Sequence, residues 1–536
     1  MSIQSAIVLD RLTFAFPGDE PVLDGLTASF AAGRTGLIGA NGTGKTTLFR
    51  LIAGELTPTS GTLTVAGNAE VGYLPQNLTL RTDAQVADLL GIRPILDALD
   101  ALEAGDADPA HFDAIGDRWD AGERALARLS AVVGTLGEPG DLRRRVARLS
   151  GGETILTALV GLELARTPVV LLDEPTNNLD AAARDRLYAL VDGWRGTLLI
   201  ASHDLDLLER LDATAELRYG ALTVYGGPYS AYAEALAVEQ EAARQAVRTA
   251  EQRVKAEHRS RMEAQTRQAR STRQGRAARD KGDVKVVLDF RQNRAEKSQA
   301  DDRAMHAARE AAARAGLADA EARVRDDDRL TLTLPDPQVG SGRRLAELRG
   351  TDRSVVIAGP ERVGLVGPNG VGKTTLLRAL VAGEPSHLPA DAVALTDRIG
   401  YLPQRLDGLR ADRTPLQELT ARAPHVPDRE LRNALASFSL PGPLATRPIG
   451  ALSGGERFRV ALAALLLAEP ANQLLVLDEP TNNLDLDTVE ALVGALDAYR
   501  GGLLVVSHDR AFLRRLGLTR VLELDADGGL TDRDAA

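Results

Sequence analysis

The sequence has no cysteine. That excludes disulfides, thiolate zinc sites and iron–sulfur clusters, and it suits a reducing compartment. No apolar run approaches the ~20 residues that a membrane-spanning helix needs. The opening stretch, MSIQSAIVLDRL, has neither the basic flank nor the apolar core of a signal peptide. A cytoplasmic location without membrane insertion is therefore expected. Lysine is scarce, with six in 536 residues. Two of them are Lys45 and Lys373; the other four (Lys255, Lys281, Lys285 and Lys297) fall in one stretch.

Apolar residues make up 44% of the chain, enough for ordinary cores, and the length predicts about three or four domains. The net charge of −11 by itself speaks against nucleic acid, but the charge is unevenly spread. From Glu241 to Ala300, 16 Lys and Arg stand against 8 Asp and Glu, a net +8; the remainder holds 48 against 67, a net −19.

The octet DEPTNNLD occurs twice, at Asp173–Asp180 and Asp478–Asp485, 478 − 173 = 305 positions apart. Each copy follows an apolar run, VVLL or LLVL. Such a run ending in two acids reads as a buried parallel strand that delivers carboxylates at its C-terminal edge, where open α/β sheets place ligands. Other motifs recur in the same order. GANGTGKTT and GPNGVGKTT both fit the phosphate-loop pattern, each between an apolar stretch and a helix-like run. GYLPQ ends in Gln76 and in Gln404, LSGGE begins at Leu149 and at Leu452, and SHD contains His203 and His508. The offset is 328 up to the glutamines and 303 at LSGGE, so the first half holds 328 − 303 = 25 extra residues between them. The chain is a tandem duplication of an α/β nucleotide-binding domain.

Each motif has a physical task. Loop glycines (Gly39, Gly42, Gly44; Gly367, Gly370, Gly372) let backbone N–H groups close on phosphate at a helix N-terminus. Lys45 and Lys373 are expected to reach the β/γ-phosphates, and Thr46 and Thr374 to bind Mg²⁺. Asp173 and Asp478 are expected on the metal side. Glu174 and Glu479 follow where the strand turns, and are expected to polarise the attacking water. His203 and His508 are expected at the γ-phosphate. The implied chemistry is phosphoryl transfer to water.

This motif set resembles that of ATP-binding-cassette (ABC) ATPases, over nearly all of residues 1–230 and 330–536. The resemblance implies two cassettes docked head to tail around two ATPs, an intramolecular dimer in a monomeric chain. It adds Asn41, Thr47, Asn369 and Thr375 to the ATP contacts, and Gln76 and Gln404 to the Mg²⁺ donors. It pairs Lys45, Thr46, Asp173 and Glu174 with Ser453, Gly454 and Gly455. It pairs Lys373, Thr374, Asp478 and Glu479 with Ser150, Gly151 and Gly152. The NNLD tails would lie where the halves meet. Phe16 could stack on adenine in the first site, and no aromatic residue matches it in Leu330–Gln338. The signatures differ, LSGGET against LSGGER, so unequal hydrolysis is expected.

Fused cassettes without a membrane domain resemble the ABC-F family of translation factors and ribosome-protection proteins. Between them, residues 231–329 are rich in Ala, Arg, Gln and Glu and almost free of Gly and Pro. Seven-residue repeats place Leu236, Ala243, Ala250 and Gln240, Val247, Val254 on one seam. They place Ala304, Ala311, Ala318 and Ala308, Ala315, Ala322 on another. An antiparallel helical pair is predicted, turning near Arg279–Phe290, with a first helix about 70 Å long. Arg267, Arg270, Arg273, Arg276, Arg279, Lys281 and Lys285 form a basic tip with few acids, the footprint of phosphate-backbone binding. The resemblance implies a ribosomal partner, its rRNA and tRNA, with a role in translation or in protection against antibiotics. Competing expectations are the soluble motor of a transporter and a DNA-repair or structural ABC ATPase. The basic helical linker counts against the first, and the missing cysteines count against the second.

Overall fold

The structure is a computed structural model. It describes residues 7–18, 20–76, 83–177, 179–279, 304–325, 334–404, 406, 408–482 and 484–533, with the side chains of 268 and 271–279 left aside. The chain divides into two compact units, Met1–Tyr229 with Asp328–Ala536, and Ser230–Asp327. Both α/β halves belong to the first unit and pack together within it.

In the first half, a six-stranded sheet runs in the order Val71–Leu74, Val169–Asp173, Thr197–Ala201, Gly33–Ile38, Ala213–Arg218, Ala221–Gly226. The first five strands are parallel and the last is antiparallel. Every residue of the strands Val169–Asp173 and Thr197–Ala201 is buried, as central parallel strands covered on both faces require. A three-stranded antiparallel sheet, with Ile7–Ala15 between Pro21–Phe30 and Ser60–Val65, packs beside it. Leu37, Leu48, Phe49, Phe30 and Leu199 share the core between them.

The second half repeats this plan. Its six-stranded sheet runs Ile399–Leu402, Leu474–Asp478, Gly502–Val506, Arg362–Val366, Arg520–Leu524, Leu530–Arg533. The extra residues of the first half are visible as structure. Both halves carry helices against the signature helix, but only the first inserts the helices Arg93–Glu103 and Pro109–Ile115, which pack on each other. The insertion is folded onto the domain surface rather than extended as an arm.

In the second unit, the helix Tyr229–Arg279 and a helix over residues 304–321 run antiparallel. Arg261 contacts Glu310, and Arg325 contacts Gln240 and Tyr232. Leu236, Gln240, Ala243, Val247, Ala250 and Val254 are all half-buried, as the heptads predict. The second helix corrects the sequence expectation, because Ala304, Ala308, Ala311, Ala315, Ala318 and Ala322 are all exposed. The seam is instead His306, Glu310, Ala313, Leu317, Ala320 and Val324. Alanine is so frequent in this helix that its spacing fits several registers, and the larger Leu317 and Val324 choose among them. Glu310 sits in that seam, only 2% exposed. Arg261 (2.8 Å) and Arg314 (2.7 Å) neutralise it, with His258 at 3.5 Å, and their hydrogen bonds hold its pKa below the usual carboxylate range. The predicted turn after Arg279 lies outside the described residues, as do Lys281 and Lys285.

Candidate active site

The sites form at the C-terminal ends of parallel strands, at the point where the sheet order reverses. After the strand Gly33–Ile38 the chain turns through Gly39, Gly42 and Gly44 into the helix Lys45–Ile52. Gly39 adopts φ 152° and a Cβ there would lie 2.4 Å from the Leu217 carbonyl oxygen; at Gly367, φ 151°, the clash with Leu524 O would be at 2.3 Å. No side chain caps the helices that begin at Lys45 and Lys373. Their first N–H groups therefore face the loop, ready for an anion.

Within each loop the lysine folds back. Lys45 Nζ donates to Gly39 O at 2.6 Å and lies 3.2 Å from His203 Nε2. Lys373 Nζ donates to Gly367 O at 2.7 Å and lies 3.2 Å from His508 Nε2. Both lysine pKa values are lowered, first by burial. Burial also pushes His203 down to about 3 and His508 down to about 4, so both rings are neutral. A neutral ring whose Nε2 accepts from lysine carries its proton on Nδ1. It cannot then donate to the glutamate.

That glutamate is placed by strained backbone. Glu174 has φ 50° and Glu479 φ 48°, the left-handed region that a residue with a side chain seldom occupies. The turn swings each acid from the alternation of its strand towards the histidine, to 3.3 Å for Glu174–His203 and 3.5 Å for Glu479–His508. Glu174 Oε1 and Glu479 Oε1 are buried and have no hydrogen-bond donor among the described residues. Desolvation pushes Glu174 up to about 8 and Glu479 up to about 7. Two buried carboxyls poised near neutrality beside a lysine are suited to taking a proton.

Asp173 and Asp478 close their strands fully buried. The Thr374 hydroxyl donates to Asp478 Oδ1 at 3.2 Å. Tyr73 donates to Asp173 Oδ2 (3.3 Å) and Tyr401 to Asp478 Oδ2 (3.4 Å). These tyrosines are site residues that motif reading missed, although the signal was present in both GYLPQ copies. Gln76 and Gln404 are exposed just beyond the adjoining strands. Phe16 is 39% exposed at the end of the first strand, edge-on to Phe14 at 5.0 Å.

Ser150 and Ser453 begin the signature helices, and each forms a capping box, with Glu153 or Glu456. Gly152 packs on Ala183, and Gly455 lies against Thr488, where an added Cβ would sit 3.1 and 3.3 Å away. These neighbours lead across the boundary between the halves. Asp485 caps its helix by accepting from Thr488 N–H at 3.0 Å, and its Oδ2 accepts from the Asn41 amide at 2.8 Å. The charge of Asp485 also acts on Lys45, and that of Asp180 on Lys373. The aspartate that ends each motif is therefore set near the phosphate loop of the other half. Further contacts run from Arg510 to Asp185 (3.0 Å), from Arg514 to Asp206 (2.6 Å) and from Arg184 to the His508 carbonyl (3.2 Å). Of these residues, His508 alone stood out in the sequence.

The profile of the ABC transporter family matches residues 23–177 and 351–482. The tylosin resistance ATP-binding protein TlrC of Streptomyces fradiae is 35% identical, over 93% of this chain and 93% of its own. The energy-dependent translational throttle protein EttA of Mycobacterium tuberculosis is 31% identical, over 95% of this chain and 90% of its own. Among solved structures, an archaeal ribosome recycling factor, aABCE1, shares the fold with a TM-score of 0.58 at 18% identity, over 98% of this chain and 89% of that one. No described helix is long and apolar enough to cross a membrane. With duplicated phosphate loops, signatures and acid–histidine pairs over most of its length, the chain belongs to the ABC-F family of tandem ATP-binding-cassette proteins and is an ATP hydrolase.

Proposed function

We propose that the two halves close on two ATP molecules, hydrolyse them at Glu174 and Glu479, and thereby control binding to and release from the ribosome. The observation that carries this reading is the Asn41–Asp485 contact beside the Lys45–His203–Glu174 cluster, with the same cluster repeated at Lys373. In the closed state each lysine would leave its loop carbonyls for phosphate. The signature helix of the opposite half, through Ser453 or Ser150 and the glycines that follow, would offer the second set of N–H groups. Glu174 and Glu479 would each accept the proton of the attacking water through the unpaired Oε1. Once the lysine has left Nε2, the neutral His203 and His508 would carry their proton on that nitrogen and donate it to the γ-phosphate.

Thr46, Asp173 and Gln76 offer a set of hard oxygens, and so do Thr374, Asp478 and Gln404; such sets fit Mg²⁺. The metal would neutralise phosphate charge there.

The ribosomal part of the reading draws on two relatives whose names tie them to translation and to tylosin resistance. Within the linker, Arg267 and Arg270 are exposed near the C-terminal end of the first helix, where the basic residues concentrate. A helix presenting guanidinium groups that have no acidic partner among the described residues would bind RNA phosphates by shape and charge. The test is co-sedimentation of the Glu174→Gln/Glu479→Gln variant with ribosomes, with ATP, at two salt concentrations. ATP-dependent pelleting that falls with salt supports the reading. A variant that binds ATP and stays in the supernatant removes the ribosome as partner.

A further inference from the structure

One side chain breaks the symmetry of the duplicated sites. Arg184 lies in the first turn of the helix Ala181–Asp192, just after the NNLD tail of the first half. The duplication offset puts Val489 at the matching position of the second half, 184 + 305 = 489, where it is buried and apolar. The side chain of Arg184 is 12% exposed, and its Nη1 lies 3.6 Å from Asp204 Oδ2, itself 9% exposed. Asp204 follows His203 directly, caps the next helix through Leu207 N–H at 3.1 Å, and accepts from the Tyr188 hydroxyl at 2.8 Å.

From that anchorage Arg184 reaches the other half. Its Nη1 donates to the His508 carbonyl at 3.2 Å, and the His508 N–H donates to Glu479 Oε2 at 3.3 Å. The guanidinium therefore grips the carbonyl of the residue whose N–H holds the second acid. We propose that Arg184, supplied in trans by the first half, is a positioning residue for the Glu479 site and makes it the faster of the two. This rests on the assignment of Glu174 and Glu479 above.

A further fact fits. Asp509, which follows His508, is half-buried near Asp204 and Asp206, and Arg184 is a cation close to all three. The same Nη1 sits between the Asp204 carboxylate and the His508 carbonyl, so a planar guanidinium already steered by the carboxylate loses little freedom when it grips the carbonyl. Valine at 489 can do none of this for the Glu174 site.

The experiment measures single-turnover phosphate release in Glu174→Gln, which leaves the Glu479 site, and in Glu479→Gln, which leaves the Glu174 site. Arg184→Val, Arg184→Gln and Arg184→Lys are introduced into each. Arg184→Val and Arg184→Gln are expected to slow release about tenfold in the Glu174→Gln background, a barrier change of ~1.4 kcal/mol. The loss should be at least about fivefold smaller in the other background, and lysine should recover part of it by keeping the charge. Equal losses in both backgrounds, or no loss in either, overturn the proposal: the first makes Arg184 a plain docking contact, the second a bystander. Silence of both sites in either single-Gln variant overturns independent tuning. Persistent turnover in the double Gln variant would show instead that the acids are misassigned, and the proposal falls with them.

Discussion

The Asn41 amide donates to Asp485 Oδ2 at 2.8 Å, across 444 positions of chain, so the phosphate loop of one half is tied to the last residue of the DEPTNNLD motif in the other. Asp485 does this while capping its own helix, with Thr488 N–H at 3.0 Å and Thr488 Oγ1 at 2.5 Å. Asp485→Asn keeps a good cap but loses the charge that acts on Lys45 and His203; Asp485→Ala loses both. Asn is expected to hold thermal stability and lower turnover. Ala is expected to lower both, with a stability loss of about 1–2 kcal/mol. Calorimetry beside an ATPase assay separates the two effects.

Glu174 and Glu479 have pKa values raised by burial to about 8 and about 7. An acid raised in the folded state holds its proton when the unfolded chain has released it. Stability from this source is therefore full below the unfolded value near 4.5 and drains away as pH rises through the folded values. Glutamine has nothing to ionise. The nucleotide-free Glu174→Gln/Glu479→Gln protein should gain thermal stability over the parent, with the gap growing from pH 5 to pH 8. A constant gap would mean these acids sit in ordinary solvent.

Tyr73 and Tyr401 each donate to the strand-ending aspartate. Removing the hydroxyls with Tyr73→Phe and Tyr401→Phe leaves the rings in place and frees the carboxylates to rotate. Each hydrogen bond to a charged group contributes about 1.5–3 kcal/mol. The concentration of Mg²⁺ for half-maximal turnover should rise several-fold, with little change in helix content by circular dichroism.

Glu310 is held by Arg261, Arg314 and His258 inside the helical seam. Its pKa is lowered, so its contribution is present above the usual carboxylate range and is lost as pH falls through the folded value. Glu310→Ala should speed amide exchange at 243–264 and 306–324. Glu310→Leu, matching the apolar Leu317, should slow it again by packing the seam. Exchange unchanged in both variants would place the register elsewhere.

If the basic tip meets RNA phosphates, each lost contact should flatten the salt dependence of binding. Neutralising Arg267 and Arg270, both exposed, should lower the slope of log K against log salt by about one unit per contact. Ribosome sedimentation across a salt series reads it directly, and ATP turnover in the absence of ribosomes serves as the control.

The duplication, the phosphate loops, the buried acid-ending strands and the seam of the first linker helix were all legible in the sequence. Each is a local pattern. A phosphate needs consecutive backbone N–H groups, a parallel strand needs an unbroken apolar run, and a heptad needs only its own period. Three features were not legible. The left-handed turn at Glu174 and Glu479 depends on the neighbouring strand, whose Ala201 and Val506 carbonyls accept from their N–H groups at 2.8 Å. The seam of the second helix depends on which of many alanines meet a partner. Arg184 and His508 are 324 positions apart, and nothing in either neighbourhood announces the other. Local chemistry wrote the two sites. Only packing of the halves decided which side chains cross between them, because such contacts join residues whose sequence separation carries no periodic or propensity signal.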